Sequence, residues 1–148
     1  MSQPQDRLVL RAGAATDTGR IRAINQDSYA MLPDLGIYVV ADGMGGAQGG
    51  EVASRMAVEA IREGYQEPSA AALTDVIAHA NQRIHAAADD PNLRGMGTTP
   101  VARASVPEEP DPDAPELDAD PPQHLLVINV GDSRAYLLRD GGLTQLTD

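Results

Sequence analysis

Two acids, Asp27 and Asp42, stand at the two ends of a stretch that reads as a β-hairpin. If Asp34 and Leu35 form its turn, Leu32 faces Ile37, Met31 faces Tyr38, Tyr29 faces Val40, and Asp27 falls opposite Asp42. Directly paired side chains share a face, with Cβ atoms roughly 4.5–5.5 Å apart. Two like charges at that distance repel, unless a cation lies between them or one acid keeps its proton. Oxygen-only ligands select a hard ion, Mg2+, Mn2+ or Ca2+. On pairing alone, a metal site and two solvated acids at a strand end both remain open, and a one-residue slip would exchange the faces.

The flanking residues favour the metal. Asp42-Gly43-Met44-Gly45-Gly46, followed by Gly49-Gly50, joins an apolar strand to a helix. Glycines let a backbone approach a ligand closely. The loop fails as a nucleotide fingerprint: G-x-G-x-x-G counted from Gly43 meets Gln48, and no G-K-[ST] follows. A carboxylate at its head would repel bare phosphate, but not phosphate reached through a cation. Arg22 lies five residues before Asp27, and its planar fork can hold two phosphate oxygens. Read alone, it is more readily a surface arginine. His79, His85 and His124 suggest no metal site; His79 and His85 would point about 240° apart on a helix.

These residues need a scaffold. Segments 28–32 and 36–41 read as strands around Pro33-Asp34-Leu35-Gly36, with both hairpin faces apolar, which predicts burial on both sides. Segment 49–65 reads as a helix with the stripe Val52, Ala53, Met56, Ala57, Ala60 and Ile61, and Gly64 offers a stop. A second helix is predicted from the N-cap Ser69 to about Ala88, with Leu73, Val76, Ile77, Ala80, Ile84 and Ala87 on its apolar side. Segments 125–130 and 134–138 read as strands about Gly131-Asp132-Ser133, and Gly141-Gly142 turns into a last strand at 143–147. The pattern predicts an α+β fold with helices laid on an antiparallel sheet.

Composition narrows the function. The 148 residues contain 22 acids and 11 bases, a formal charge of −11, and no Cys, Trp or Phe. Disulfides, thiolate nucleophiles and Cys-ligated metals are excluded. The acidic balance argues against nucleic acid, whose backbone is held by clustered Lys and Arg. No apolar run has the length of a membrane span, and the opening residues lack the apolar stretch of a signal peptide, so a cytoplasmic protein without a membrane segment is expected. Pro107 to Pro122 holds six prolines, seven acids and no base. It predicts an acidic, Pro-rich surface loop over about 104–123, either a solvated insertion or a docking segment for a basic partner.

Four motifs now stand in order: Arg22-x-x-Asn25-Gln26-Asp27-Ser28, Asp42-Gly43-Met44-Gly45-Gly46, Gly95-Met96-Gly97-Thr98-Thr99 and Val130-Gly131-Asp132-Ser133-Arg134-Ala135-Tyr136. Together they resemble the metal-dependent Ser/Thr protein phosphatases, the PPM or type 2C family, in its bacterial branch. The resemblance implies an α-β-β-α sandwich of antiparallel sheets flanked by helices. It implies hydrolysis of phosphoserine and phosphothreonine on proteins by water acidified between two Mn2+ or Mg2+ ions. Asp27, Asp42 and Arg22 become the catalytic residues. Asp27 and Asp42 hold the binuclear site, with Asp42 bridging. The Gly43 carbonyl binds one ion, Arg22 binds substrate phosphate, and Asp132 helps hold a weaker third ion. A turn hydrogen bond is the alternative role for Asp132. Met44 stands where the eukaryotic branch has a His proposed as general acid, and Gln26 replaces a frequent Glu.

The same resemblance carries expectations about extent. Later family motifs, an Asp-Gly segment and a Gly-x-x-Asp-Asn segment that supply further metal acids, do not occur in the 148 residues. Residues 1–148 are therefore expected to form the N-terminal part of a phosphatase domain, truncated at the C-terminus. Pro100 and Arg103 predict a frayed or edge strand there. The expected partners are phosphorylated proteins, substrates of a Ser/Thr kinase, and the expected state is a monomer. The alternative function is a catalytically inactive, phosphatase-like binding or regulatory module.

Overall fold

The computed structural model describes residues 10–46, 48–108 and 123–148. Strand β1 (Asp27–Leu32) turns through a single 3-10 turn (Pro33–Leu35) into β2 (Ile37–Met44). Proline opens that turn, and Gly36 closes it at φ 63°, a left-handed backbone that glycine adopts without steric cost. The register is the one the hairpin predicts, from Leu32–Ile37 through Met31–Tyr38 and Tyr29–Val40 to Asp27–Asp42. Strand β2 runs three residues further than predicted, so Asp42 and Gly43 lie within it.

Helix α1 (Gly49–Gly64) and helix α2 (Ala70–Ala87) separate β2 from β3 (Gly97–Pro107). Ser69 caps α2 as expected, accepting a hydrogen bond from the Ala72 amide at 3.0 Å. Strand β4 (Gln123–Asn129) completes a four-stranded antiparallel sheet in the order β1-β2-β3-β4. Strands β5 (Tyr136–Arg139) and β6 (Gly142–Gln145) form a separate two-stranded sheet. Their turn is Asp140-Gly141, one residue earlier than the predicted Gly141-Gly142. Both residues have positive φ, 50° and 78°, which a two-residue hairpin of the right twist demands.

The core lies between the sheet and the helices. Ala30, Ile37, Val39, Ala41, Ala102 and Ala104 point from the sheet to Ala53, Ala57 and Ile61 of α1, all essentially buried. Small side chains on both sides set a close helix-to-sheet approach. The expected two-sided burial of the hairpin is not what forms. Its other face, carrying Tyr29, Met31 and Val40, is 37–49% exposed, because no helix or strand layer packs over it among the described residues. An apolar groove lined by Tyr29, Tyr38, Val40, Val101 and Arg103 runs along it.

Strand β3 also corrects an expectation. It is an interior strand, paired with β2 on one side and β4 on the other. The Pro100 carbonyl accepts from the Val130 amide at 2.9 Å, past the last β3–β4 pair, Val101–Asn129. Its missing N–H points to that same side, so the ladder to β2 loses no bond and the ladder to β4 lacks only one bond at its end. Arg103 falls on the open face, 5.2 Å above the Tyr38 ring and bonded to the Ser105 hydroxyl, so it does not interrupt the buried row. The strands hold 104–107 and 123, which shortens the predicted acidic loop. Of the rest of that loop, 109–122 lie outside the described residues.

Candidate functional site

Asp27 and Asp42 are directly paired across β1 and β2. Alternation places them on the open face with Tyr29 and Val40, away from the helices. They sit where β1 begins and β2 approaches its glycine loop. The Asp27 amide is held by the Asn25 side chain at 3.0 Å, and Asn25 in turn reaches the Thr16 hydroxyl at 2.9 Å. Partial burial raises the Asp27 pKa above its ordinary value. The neighbouring Asp42 charge and a side-chain hydrogen bond to Asp42 add to the rise, while Arg22 opposes it.

The glycines of the loop allow backbone to pack on backbone. The Gly43 amide donates to the Gln26 carbonyl at 3.1 Å, and a Cβ on Gly50 would come 2.7 Å from the Gly43 carbonyl oxygen. The first turn of α1 is thereby seated against Gly43. Two adjoining clefts share Arg22, Gln26 and Asp42. One is walled by Asp27 and Asn25, and the other extends over Gly43 and Thr99 to Asp132. The structure thus brings Arg22, Asp27, Asp42, Gly43 and Asp132 to one region of the open face. Asp132 reaches the cleft rim, yet among the described residues no three of His, Cys, Asp and Glu gather into a metal-binding group.

The donor chemistry fits a hard divalent cation held by two carboxylates. Mg2+ in particular keeps several waters and takes one or two carboxylates together with substrate phosphate. Sequence reading gave no role to three hydroxyls that support this region. Thr98 donates to the Asp42 carbonyl at 2.7 Å, and the Thr99 and Ser133 hydroxyls are 2.8 Å apart. Their signal was the Gly-Thr-Thr motif, whose meaning depends on pairing Thr98 with Gly43 and Thr99 with Asp42.

No helix among the described residues is long and apolar enough to cross a membrane. Known phosphatases are similar to this chain in sequence and fold. The serine/threonine protein phosphatase PstP of Mycobacterium tuberculosis is 37% identical over 145 residues, covering 95% of this chain and 25% of that protein. The serine/threonine phosphatase stp of Listeria welshimeri is 34% identical over 151 residues, covering 94% of this chain and 54% of the relative. The crystal structure of the PstP catalytic domain in complex with two manganese ions superposes with a TM-score of 0.69 at 37% identity, over 88% of this chain and 52% of that one. The chain therefore spans a quarter to about half of the length of these relatives. Residues 20–148 match the family described as Protein phosphatase 2C, and the chain belongs to that family of metal-dependent serine/threonine protein phosphatases.

Proposed function

We propose that this chain carries the N-terminal metal-and-phosphate half of a protein phosphatase site acting on phosphoserine and phosphothreonine. One observation carries the reading: Asp27 and Asp42 are cross-strand partners on one face, with Arg22 and the Gly43 loop beside them. Asp27 and Asp42 would hold two Mn2+ or Mg2+ ions with help from the Gly43 carbonyl, and Asp132 would add to a third, weaker position. Bound there, the ions would supply an acidified water and charge neutralisation at phosphorus. The protein's own part is to orient. Asp27 and Asp42 must both be ionised to hold a cation, which their mutual repulsion opposes until the cation arrives. Arg22 would fix the phosphoryl oxygens through its fork. Met44, 56% exposed beside Asp42, has no proton to give, so leaving-group protonation falls to water or another group. The partners are phosphorylated proteins, the products of a Ser/Thr kinase.

With two carboxylates at the centre and no third acid joining them among the described residues, the 148-residue chain is expected to bind Mn2+ weakly and to turn over p-nitrophenyl phosphate poorly. Calorimetry with Mn2+ tests this directly. Binding is expected for the wild type and its loss for Asp42→Asn. A wild type that binds no Mn2+, or an Asp42→Asn variant that binds it equally, removes the reading. The second reading, a phosphatase-like binding module, predicts that Asp42→Asn leaves phosphoprotein capture unchanged.

A further inference from the structure

We propose that Gln26 is a positioning residue, which locks the Arg22 guanidinium and the Gly45-Gly46 loop into one unit beside the carboxylate pair. Its side-chain oxygen accepts from Arg22 Nη1 at 2.9 Å. Its nitrogen donates to the carbonyls of Gly45 and Gly46 at 3.3 and 3.4 Å. Its backbone carbonyl accepts from the Gly43 amide. The orientation of the amide is forced by chemistry: guanidinium has only donors and a carbonyl only accepts, so Oε1 must face Arg22 and Nε2 the loop. Only an uncharged amide serves both neighbours at once.

The surroundings hold the amide in place. A Cβ on Gly50 would come 2.9 Å from Gln26 Cδ, so the start of α1 closes over the side chain. Arg22 is exposed, and among the described residues it has no carboxylate at ion-pair distance. An exposed arginine of that kind samples many rotamers, and fixing it before an anion arrives lowers the entropy cost of binding. One N–H of Arg22 is spent on Gln26, and the rest of the fork stays free for an anion. Gln26 thus acts through Arg22 and does not touch the phosphate. The proposal rests on the phosphate-binding role given to Arg22 above.

The test is a double-mutant cycle on the full chain with Mn2+ present, reading the affinity for inorganic phosphate by calorimetry. Gln26→Met keeps length and removes every side-chain hydrogen bond. It is expected to weaken phosphate binding roughly tenfold, the scale of one bond to a charged group, with little change in Mn2+ affinity. Arg22→Ala is expected to weaken phosphate binding at least as much, and Gln26→Met added to it to cost nothing further. Additive losses overturn the proposal, as does an unchanged phosphate affinity in Gln26→Met. Gln26→Glu keeps an acceptor for Arg22 but loses both donations to the loop. Hydrogen exchange at 43–46 is expected to quicken roughly three- to tenfold in it, and unchanged exchange overturns the loop half. Failure of the functional reading looks different: a wild type that binds neither Mn2+ nor phosphate overturns that reading and this proposal with it.

Discussion

Thr99 on β3 and Ser133 in the turn before β5 share a hydrogen bond of 2.8 Å, which ties the segment carrying Asp132 to the strand paired with Asp42. The turn is built tightly around that bond. Gly131 has φ +92°, and a Cβ there would lie 2.5 Å from Thr99 Cγ2. Gly131→Ala therefore meets both a disfavoured backbone region and a methyl group. It is expected to cost about 1–3 kcal/mol, read as a lower midpoint in urea. Ser133→Ala, which only removes the bond, is expected to cost about 0.5–1.5 kcal/mol. Equal stability of Gly131→Ala and wild type would show that the turn is placed differently.

Charge at the carboxylate pair sets stability against function. The Asp27 pKa is raised above its ordinary 3.8 in the folded chain, so folding favours the protonated acid. The stability this group contributes is complete below the unfolded value and is lost as pH rises through the raised folded value. Partial burial, and after it the neighbouring Asp42 charge, oppose the ionised form. Asp27→Asn is accordingly expected to raise the Tm of the EDTA-treated chain by about 1–3 °C, the scale of an exposed charge pair. Saturating Mn2+ reverses the order. It should lift the wild type by about 5–10 °C through mass action and leave Asp27→Asn nearly unmoved. Thermal melts with and without Mn2+ decide it, and an Asp27→Asn variant less stable than wild type in EDTA contradicts it.

The hairpin register was legible because its turn chemistry is local: Pro33 and Gly36 fix the reversal, and everything to Asp27 and Asp42 follows by counting. The α1 and α2 stripes were legible for the same reason, each being a repeat within one element. The central position of β3 was not, since Pro100 and Arg103 break the apolar pattern and only the partners β2 and β4 show why both are tolerated. The open face of the hairpin was misread as buried because side-chain polarity records what a face prefers, not what covers it. At the site, the pairing of Asp27 with Asp42 was readable from spacing, whereas a role for Arg22 came only from the family resemblance. Thr98, Thr99 and Ser133 acquire meaning only through pairings more than thirty residues apart in sequence.

Burial predicts where truncation is felt. Ile61 is fully buried beneath the sheet, whereas Leu143 on β6 is 67% exposed. Ile61→Ala is expected to cost about 2–5 kcal/mol, the transfer energy plus the cavity left behind. Leu143→Ala should stay within about 0.5 kcal/mol. Urea titration of both variants checks the contrast, and similar losses would mean that the two-stranded sheet is packed more deeply than its exposure indicates.

Gly64 separates two explanations of a helix-terminal glycine. Sequence alone makes it a stop signal, and replacing a helical glycine by alanine ordinarily stabilises by roughly 0.5–1 kcal/mol. Here Gly64 is the last residue of α1, and the helix is capped by Tyr65 in an extended conformation, so no left-handed glycine is required. What the position requires is space. A Cβ on Gly64 would lie 2.7 Å from Cγ2 of Val76 on α2. Val76 is 5% exposed and β-branched, so its methyl cannot swing away cheaply. Overpacking costs about 1–3 kcal/mol, which exceeds the propensity gain. Gly64→Ala is therefore expected to destabilise the chain by about 1–2 kcal/mol. In a Val76→Ala background, where that methyl is gone, the same change should turn neutral or stabilising. Stabilisation by Gly64→Ala in the wild-type background would mean that α1 and α2 stand further apart than this contact requires.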